Sequence, residues 1–318
     1  MKEYNISWWN VENLFNTENY EQREERLTRK LAGELKGWNK NVLNKKISNL
    51  SEIISKLNEN QGPDILGMCE VEDDSVMQKL VDSIDINRNY ATAHWQMGDG
   101  RGIDVGFIYD ANLFDVEEMF SHWLIKRNTT RDILQVNFKT KKGNRLVVIG
   151  NHWPARISGK YDTEPFRIIA GEALAYHNQR IMDIHGNNVA ILAMGDFNDE
   201  PFDRAITDYA LGSSNRGTVS RSKSPKLFNP MWNLVADGKY THVYGSEYTI
   251  LDQFMVSKGL LQKKGKLIMM DDSITIGKFK ENSTGKKPKR FGRPSKKSSF
   301  NDKGYSDHFP ISIKIIEN

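Results

Sequence analysis

Short apolar runs recur at Tyr4–Trp9, Asp64–Met68, Asp104–Tyr109, Arg131–Phe138, Arg145–Ile149, Val189–Met194, Leu251–Val256 and Ile311–Ile316. Several are continuous rather than alternating, the pattern of strands buried on both faces. Helical periodicity lies between them. The clearest stripe runs from about Asn39 to Asn58 through Val42, Leu43, Ile47, Leu50, Ile53, Ile54 and Leu57. Gly62-Pro63 stops it, and Asp64–Met68 reads as the next strand. A second helix is predicted from Pro165 to about Ile184. Strands alternating with helices predict α/β layers.

Polar side chains gather where these strands end. Strand one runs into Asn10-Val11-Glu12-Asn13, and the strand at Ile65–Met68 into Cys69-Glu70-Val71-Glu72. Val147–Gly150 leads to Asn151-His152-Trp153-Pro154, and Ala190–Gly195 to Asp196-Phe197-Asn198-Asp199. Ser306-Asp307-His308 directly precedes the last strand, and Asp252 lies inside an apolar run. Open α/β sheets bind ligands beyond strand ends. A buried Asp252 needs a partner, which His308 or Lys258 is placed to supply. Each cluster alone is explained as well by turn formation, since Asp and Asn bond their own backbone at strand ends. The functional argument rests on the whole set.

Composition adds limits. The chain has 318 residues, 38% hydrophobic and 27% charged, which excludes disordered and fibrous classes. No stretch approaches the ~20 apolar residues of a membrane helix. The start has no apolar signal-peptide core, which favours a cytoplasmic location. Cys69 is the only cysteine, so an intramolecular disulfide and a multi-thiolate zinc site are excluded. The net charge of +4 is uneven: residues 278–303 hold ten Lys and Arg against Glu281 and Asp302, a net +8 on a body of −4. That segment reads as a basic surface loop, suited to phosphates of DNA or RNA or simply solvated.

Seven pieces, in order, resemble the endonuclease/exonuclease/phosphatase superfamily with its DNase I-like fold. They are Trp9–Phe15, Pro63–Glu72, Arg101–Val105, Gly150–Arg156, Met194–Asp199, Leu251–Ser257 and Gly304–Pro310. Gly-Asp-Phe-Asn at 195–198 and Ser-Asp-His-Phe-Pro at 306–310 are the most specific. The resemblance implies an α/β (α+β) four-layer sandwich, two mixed sheets packed face to face with helices outside, and a single domain over 1–318. It also implies a metal-dependent phosphoric ester hydrolase using Mg²⁺ or Mn²⁺, with Glu70 the chief ligand and Asn10 and Asp307 as ligands or partners around it.

By the same resemblance, His308, oriented by Asp252, acts on the attacked phosphate, and Asp196 orients or activates the water. Asn198 donates to a phosphoryl oxygen, and His152 is a second acid–base group or phosphate donor. Arg101 and Arg156 are guanidinium forks for phosphate or structural ion pairs. Asp104 is placed either to orient His152 or simply to start its strand. The other five histidines receive no role.

Cys69 stands where many relatives carry Gln, and Glu72 where the abasic-site endonuclease branch carries Lys. The Trp-x-Gly-Asp-x-Asn motif of inositol-polyphosphate 5-phosphatases and the apolar hairpin of sphingomyelinases are absent from the sequence. The leading expectation is a nuclease-like phosphodiesterase. A phosphatase or phosphodiesterase for a small, sugar or lipid-headgroup ester comes second, and a non-catalytic binding module third.

Overall fold

The computed structural model describes residues 1–125, 130–292 and 300–318. Two seven-stranded mixed sheets are built from strands β1 (Lys2–Leu14), β2 (Ile65–Val71), β3 (Tyr90–His94), β4 (Asp104–Asp110), β5 (Phe114–His122), β6 (Ile133–Thr140), β7 (Arg145–His152), β8 (Ala190–Asp196), β9 (Gly212–Ser213) and β10 (Leu227–Phe228). Further along are β11 (His242–Tyr244), β12 (Glu247–Thr249), β13 (Asp252–Val256), β14 (Leu267–Met269), β15 (Thr275–Ile276), β16 (Ser283–Thr284), β17 (Lys287–Pro288) and β18 (Ile311–Glu317). One sheet runs β14-β18-β1-β2-β4-β3, with β15 on β18, and the other β5-β6-β7-β8-β13-β10-β9. β11–β12 and β16–β17 are separate hairpins.

The layers follow from which residues face where. Ile6, Trp8, Phe107, Phe138, Leu192, Met194 and Phe254 fill the space between the sheets. On the far side of the first sheet, Trp9, Val11 and Met68 pack on α2 (Lys40–Asn60) and α3 (Asp74–Ser83), which follow α1 (Glu25–Leu31). On the far side of the second, Val147, Ile149 and Ile191 pack on α4 (Lys160–His185) through Leu174 and Ile181. The four-layer sandwich expected from the sequence is therefore the fold. β1 is buried on both faces, where Tyr4, Ile6, Trp8 and Trp9 alternate with Asn5 and Ser7, whose side chains bond each other and Ser312.

Asn39 caps α2, its side chain accepting from the Asn41 and Val42 amides, and the backbone leaves the helix at Leu57. The second predicted helix begins earlier than Pro165. Arg167, bonded to Thr163 Oγ1 and the Lys160 carbonyl, holds a first turn at Lys160–Glu164 that the proline alone would not signal. No helix among the described residues is long and apolar enough to cross a membrane.

His122, at the end of β5, stacks on His177 of α4 with ring centroids 3.6 Å apart. Burial, then the charge of His122, pushes His177 down to about 4, and burial lowers His122 too. The folded protein thus holds these imidazoles neutral where the unfolded chain protonates near its ordinary ~6.5. Their contribution to stability is complete above that value and is lost as pH falls towards 4. Denaturant titrations from pH 7 to 4 should therefore show a shallower stability loss in His177→Phe than in wild type, by up to one proton. Parallel pH slopes would refute this.

Candidate active site

β7, β8, β13, β1 and β2 bring their polar ends to one mouth of the sandwich. In register, His152 faces Asp196, and Asp196 faces Asp252. Gly195 permits the close approach of β7 and β8 there, because a Cβ would lie 2.4 Å from the Asn151 carbonyl oxygen. Four non-glycine residues at this mouth have left-handed backbone: Glu12 (φ 50°), Asn13 (φ 60°), Glu70 (φ 66°) and Asn198 (φ 50°). Glu70 is the extra residue of a bulge where β2 shifts register against β4. Backbone strain of this kind concentrates at functional sites.

The bulge turns the Glu70 carboxylate inward, where it accepts from the Asn13 amide at 3.0 Å and lies 3.7 Å from His152 Nε2. Asn10 is fully engaged. Its amide nitrogen donates to Asp196 at 3.1 Å and to Glu70 at 3.5 Å, and its oxygen accepts from the Glu12 amide. Asn10 therefore spaces the two carboxylates. Asp196 also accepts from the Asn198 amide at 3.0 Å, and His308 Nε2 lies 3.8 Å away.

Asp252 is completely buried and partnered as one of the two sequence alternatives has it: His308 Nδ1 lies 2.7 Å from its Oδ2. The Trp8 indole donates to its other oxygen at 3.1 Å. Lys258 bonds the Ser222 carbonyl instead. Trp9 donates to the His308 carbonyl, and Ser306 ties the His308 amide to Asn10. Burial opposes a charged His308, but Asp252 and Asp196 outweigh it and hold the imidazolium well above the ordinary value. His152 goes the other way: burial, then the charges of Arg131, Arg101 and His308, push it well below. The two imidazoles are thus pushed in opposite directions by their surroundings.

The geometry bears on three of the expectations. Asp104 bonds His94 at 3.1 Å rather than His152, whose Nδ1 has no partner, because β4 places it beside the end of β3. The Asn198 amide donates to the Trp153 carbonyl, so its side chain braces the β7 end. Arg156 bonds the Asn198 carbonyl and pairs with Asp199 and Asp203, the structural alternative of its two readings. Arg101 stays near the mouth, 3.5 Å from Asp99 and about one-third exposed. Within the basic segment, Arg293, Lys296 and Lys297 lie outside the described residues. The described part is no plain loop but carries the β16–β17 hairpin, and Lys289–Phe291 pairs with Asn301–Tyr305. Gly304 makes that pairing possible, since a Cβ there would lie 1.9 Å from the Arg290 carbonyl.

Several neighbours went unread in the sequence. Arg290 reaches from the basic segment to Glu12 at 2.5 Å and Asp307 at 3.4 Å. Lys46, buried on α2, bonds the Tyr305 carbonyl, and burial pushes it down to about 8. Its signal was available: a lysine between Leu43 and Leu50 on the apolar stripe. Arg131 braces the His152 and Trp153 carbonyls. The His242 ring lies 4.6 Å from that of His308. An open cleft of about 1250 Å³ near Gly186–Ala190 and Gln262–Leu267 contains none of these groups.

The donors at the mouth fit a hard divalent cation. Glu70 and Asp307 offer carboxylate oxygens, the donor type such ions prefer, and burial raises Asp307 against the pull of His308 and Arg290.

A model described as the Endonuclease/Exonuclease/phosphatase family matches residues 5–317. Among curated proteins, no sequence matches this one. The fold is similar to that of the human nocturnin catalytic domain, with 18% identity, TM-score 0.57, and 99% of this chain and 94% of that one covered. Truncated TDP2 from Caenorhabditis elegans gives 15%, 0.59, 99% and 97%. A mannosyl-6-phosphatase from Bacteroides thetaiotaomicron gives 14%, 0.55, 98% and 99%. At these identities the structural likeness carries the fold.

Proposed function

Because the chain belongs to the endonuclease/exonuclease/phosphatase family, we propose that it is a divalent-metal-dependent phosphoric ester hydrolase acting on phosphodiesters, nuclease-like, and working as one domain. The observation that carries this reading is the convergence of Glu70, His152 and the Asp252-bonded His308 on Asp196 at one mouth of the sandwich, with His152 and His308 each within 4 Å of Asp196.

Glu70, bonded by Asn10, and Asp307, paired with Arg290, would hold Mg²⁺ or Mn²⁺, which when bound would neutralise charge on the phosphoryl oxygens. The His308 imidazolium donates to an oxygen of the attacked phosphate, its orientation fixed through Nδ1 by Asp252. Asp196 positions the attacking water and accepts its proton. Neutral His152 stands opposite as the second acid–base group. Arg101, at the rim, is the guanidinium left to meet a phosphate. Sequestering Asn198 and Arg156 in structural bonds leaves them to hold Asp196 and the β7 end in place.

The substrate has two readings. The +8 segment, with Arg290 at the mouth, favours DNA or RNA. The −4 body favours a small ester, and the likeness to a mannosyl-6-phosphatase is in keeping with that. A panel of phosphomonoesters, phosphodiesters, DNA, RNA and phospholipids, each with Mg²⁺ and with Mn²⁺, separates them. On an oligonucleotide, log kcat/KM should fall steeply with log salt. Lys286→Ala/Lys287→Ala should flatten that slope by roughly 0.7–0.9 for each phosphate it leaves without a lysine. A flat salt response with turnover of small esters only selects the second reading. No turnover of any ester refutes both.

A further inference from the structure

Beside the hard-cation donors lies a second donor set that shares no member with them. The Cys69 sulfur, a His152 ring nitrogen and an Asp196 carboxylate oxygen all lie within 4.8 Å of one another, and all three residues are buried. The bulge at Glu70 produces this placement. In a regular strand Cys69 and Glu70 face opposite sides, but the left-handed turn at Glu70 lets both face the space between the sheets. His152 strengthens the case independently. It is 97% buried, its Nδ1 has no hydrogen-bond partner, and the nearest carboxylates to Nε2, at 3.7 and 3.9 Å, are beyond hydrogen-bond range. A buried imidazole whose Nδ1 has no partner, beside a thiol and a carboxylate, is a ligand set suited to an ion.

We infer that Cys69, His152 and Asp196 form a soft metal site that takes Zn²⁺. Sulfur, imidazole nitrogen and carboxylate oxygen are the zinc ligand types, and Mg²⁺ and Mn²⁺ prefer the oxygen donors next to them. A tetrahedral ion with bonds of about 2.0–2.3 Å needs the three donor atoms to close by roughly 1 Å, which side-chain rotation supplies, and water takes the fourth position. Binding displaces the Cys69 thiol proton to solvent, with no change of oxidation state. The ion enters through the mouth at Glu70, whose side chain is 16% exposed. The functional consequence rests on the reading above: zinc withdraws His152 and Asp196 from the reaction, so the site is inhibitory.

The test titrates the whole chain, reduced and freed of metal, with Co²⁺ and then Zn²⁺. Because Cys69 is the only cysteine, a thiolate-to-cobalt charge-transfer absorption has a single possible source. The band is expected to saturate at one equivalent, to disappear on adding Zn²⁺, and to persist in excess Mg²⁺. Cys69→Ala should abolish it. His152→Ala keeps the cysteine and should weaken cobalt binding at least tenfold, the lower end of what losing even an outer partner of a ligand does. Absence of the band in wild type, or equal affinity in wild type and His152→Ala, overturns the site. A band in a protein that hydrolyses no ester leaves the zinc site standing and removes the enzymatic reading. An active protein without the band does the reverse.

Discussion

Replacing His308 by alanine should lower kcat on any accepted phosphate ester by about 10³-fold, within the 10²–10⁴ range of positioned acid–base groups, with KM changed little. The His308 ring is held between Asp252 and Asp196, so in the proposed reaction it would act on charge that develops during the reaction rather than on binding at large. Removing it leaves two buried carboxylates facing each other without their cation, and some loss of stability accompanies the loss of rate. His308→Gln separates the two effects. Its amide can still donate to Asp252, so the fold is retained while the ionisable group is gone. Asp252→Asn should fall between wild type and His308→Ala, because the tautomer and orientation of the ring are then no longer fixed. Thermal unfolding checks that each variant is folded. A folded His308→Gln within tenfold of wild-type kcat on every substrate would remove His308 from the mechanism.

The largest effect on stability is expected at Arg167. Its side chain is completely buried, pairs with Asp199 at 2.7 Å, and bonds Thr163 and the Lys160 carbonyl. Burial raises Asp199 to about 6, against the pull of Arg167. Arg167→Met keeps the volume but removes the cation, and breaking a buried pair in this way typically destabilises by about 3–5 kcal/mol. Arg156, 3.3 Å from Asp199, will limit the loss but is itself shared with Asp203. Arg167→Met/Asp199→Asn should recover much of the stability, since the stranded carboxylate is then neutral. Urea unfolding reads both. A cost below about 1 kcal/mol for the single variant, well under the range for a broken buried pair, would show that Asp199 is solvated or already satisfied. Because Asp199 follows Asn198, the single variant should also blunt activity by loosening the Trp153 and Asp196 contacts.

Strand order in the sheets was not readable from the sequence, but the layers were, for a physical reason. A strand buried on both faces is rich in apolar residues, and all eight apolar runs lie on strands of the two large sheets. The short strands β9, β10 and β14–β17 carry too few residues for any periodicity. Within the site, residues that end strands were legible because carboxylates and imidazoles interrupt apolar sequence there. Groups arriving from elsewhere were not. Trp8 and Trp9 read as core, and they are core, yet each indole also supplies a hydrogen bond to the Asp252–His308 pair. Arg290 was legible only as one charge among ten. Asp104 shows the limit of proximity in sequence motifs: strand register, not motif membership, assigned it to His94.

The pairing of β1 with β18 runs from Lys2 opposite Glu317 to Trp8 opposite Ile311. Contacts between residues some 300 positions apart, such as Trp9 with His308, close the longest loops in the molecule. Loop closure of that span is entropically the most demanding step and is rewarded only after intervening layers have packed. The Asp252–His308 pair and the mouth it serves are therefore expected to assemble late in folding. A chain that has formed strands and helices but not this closure has no assembled mouth, so the proposed chemistry would be confined to molecules that have completed the sandwich.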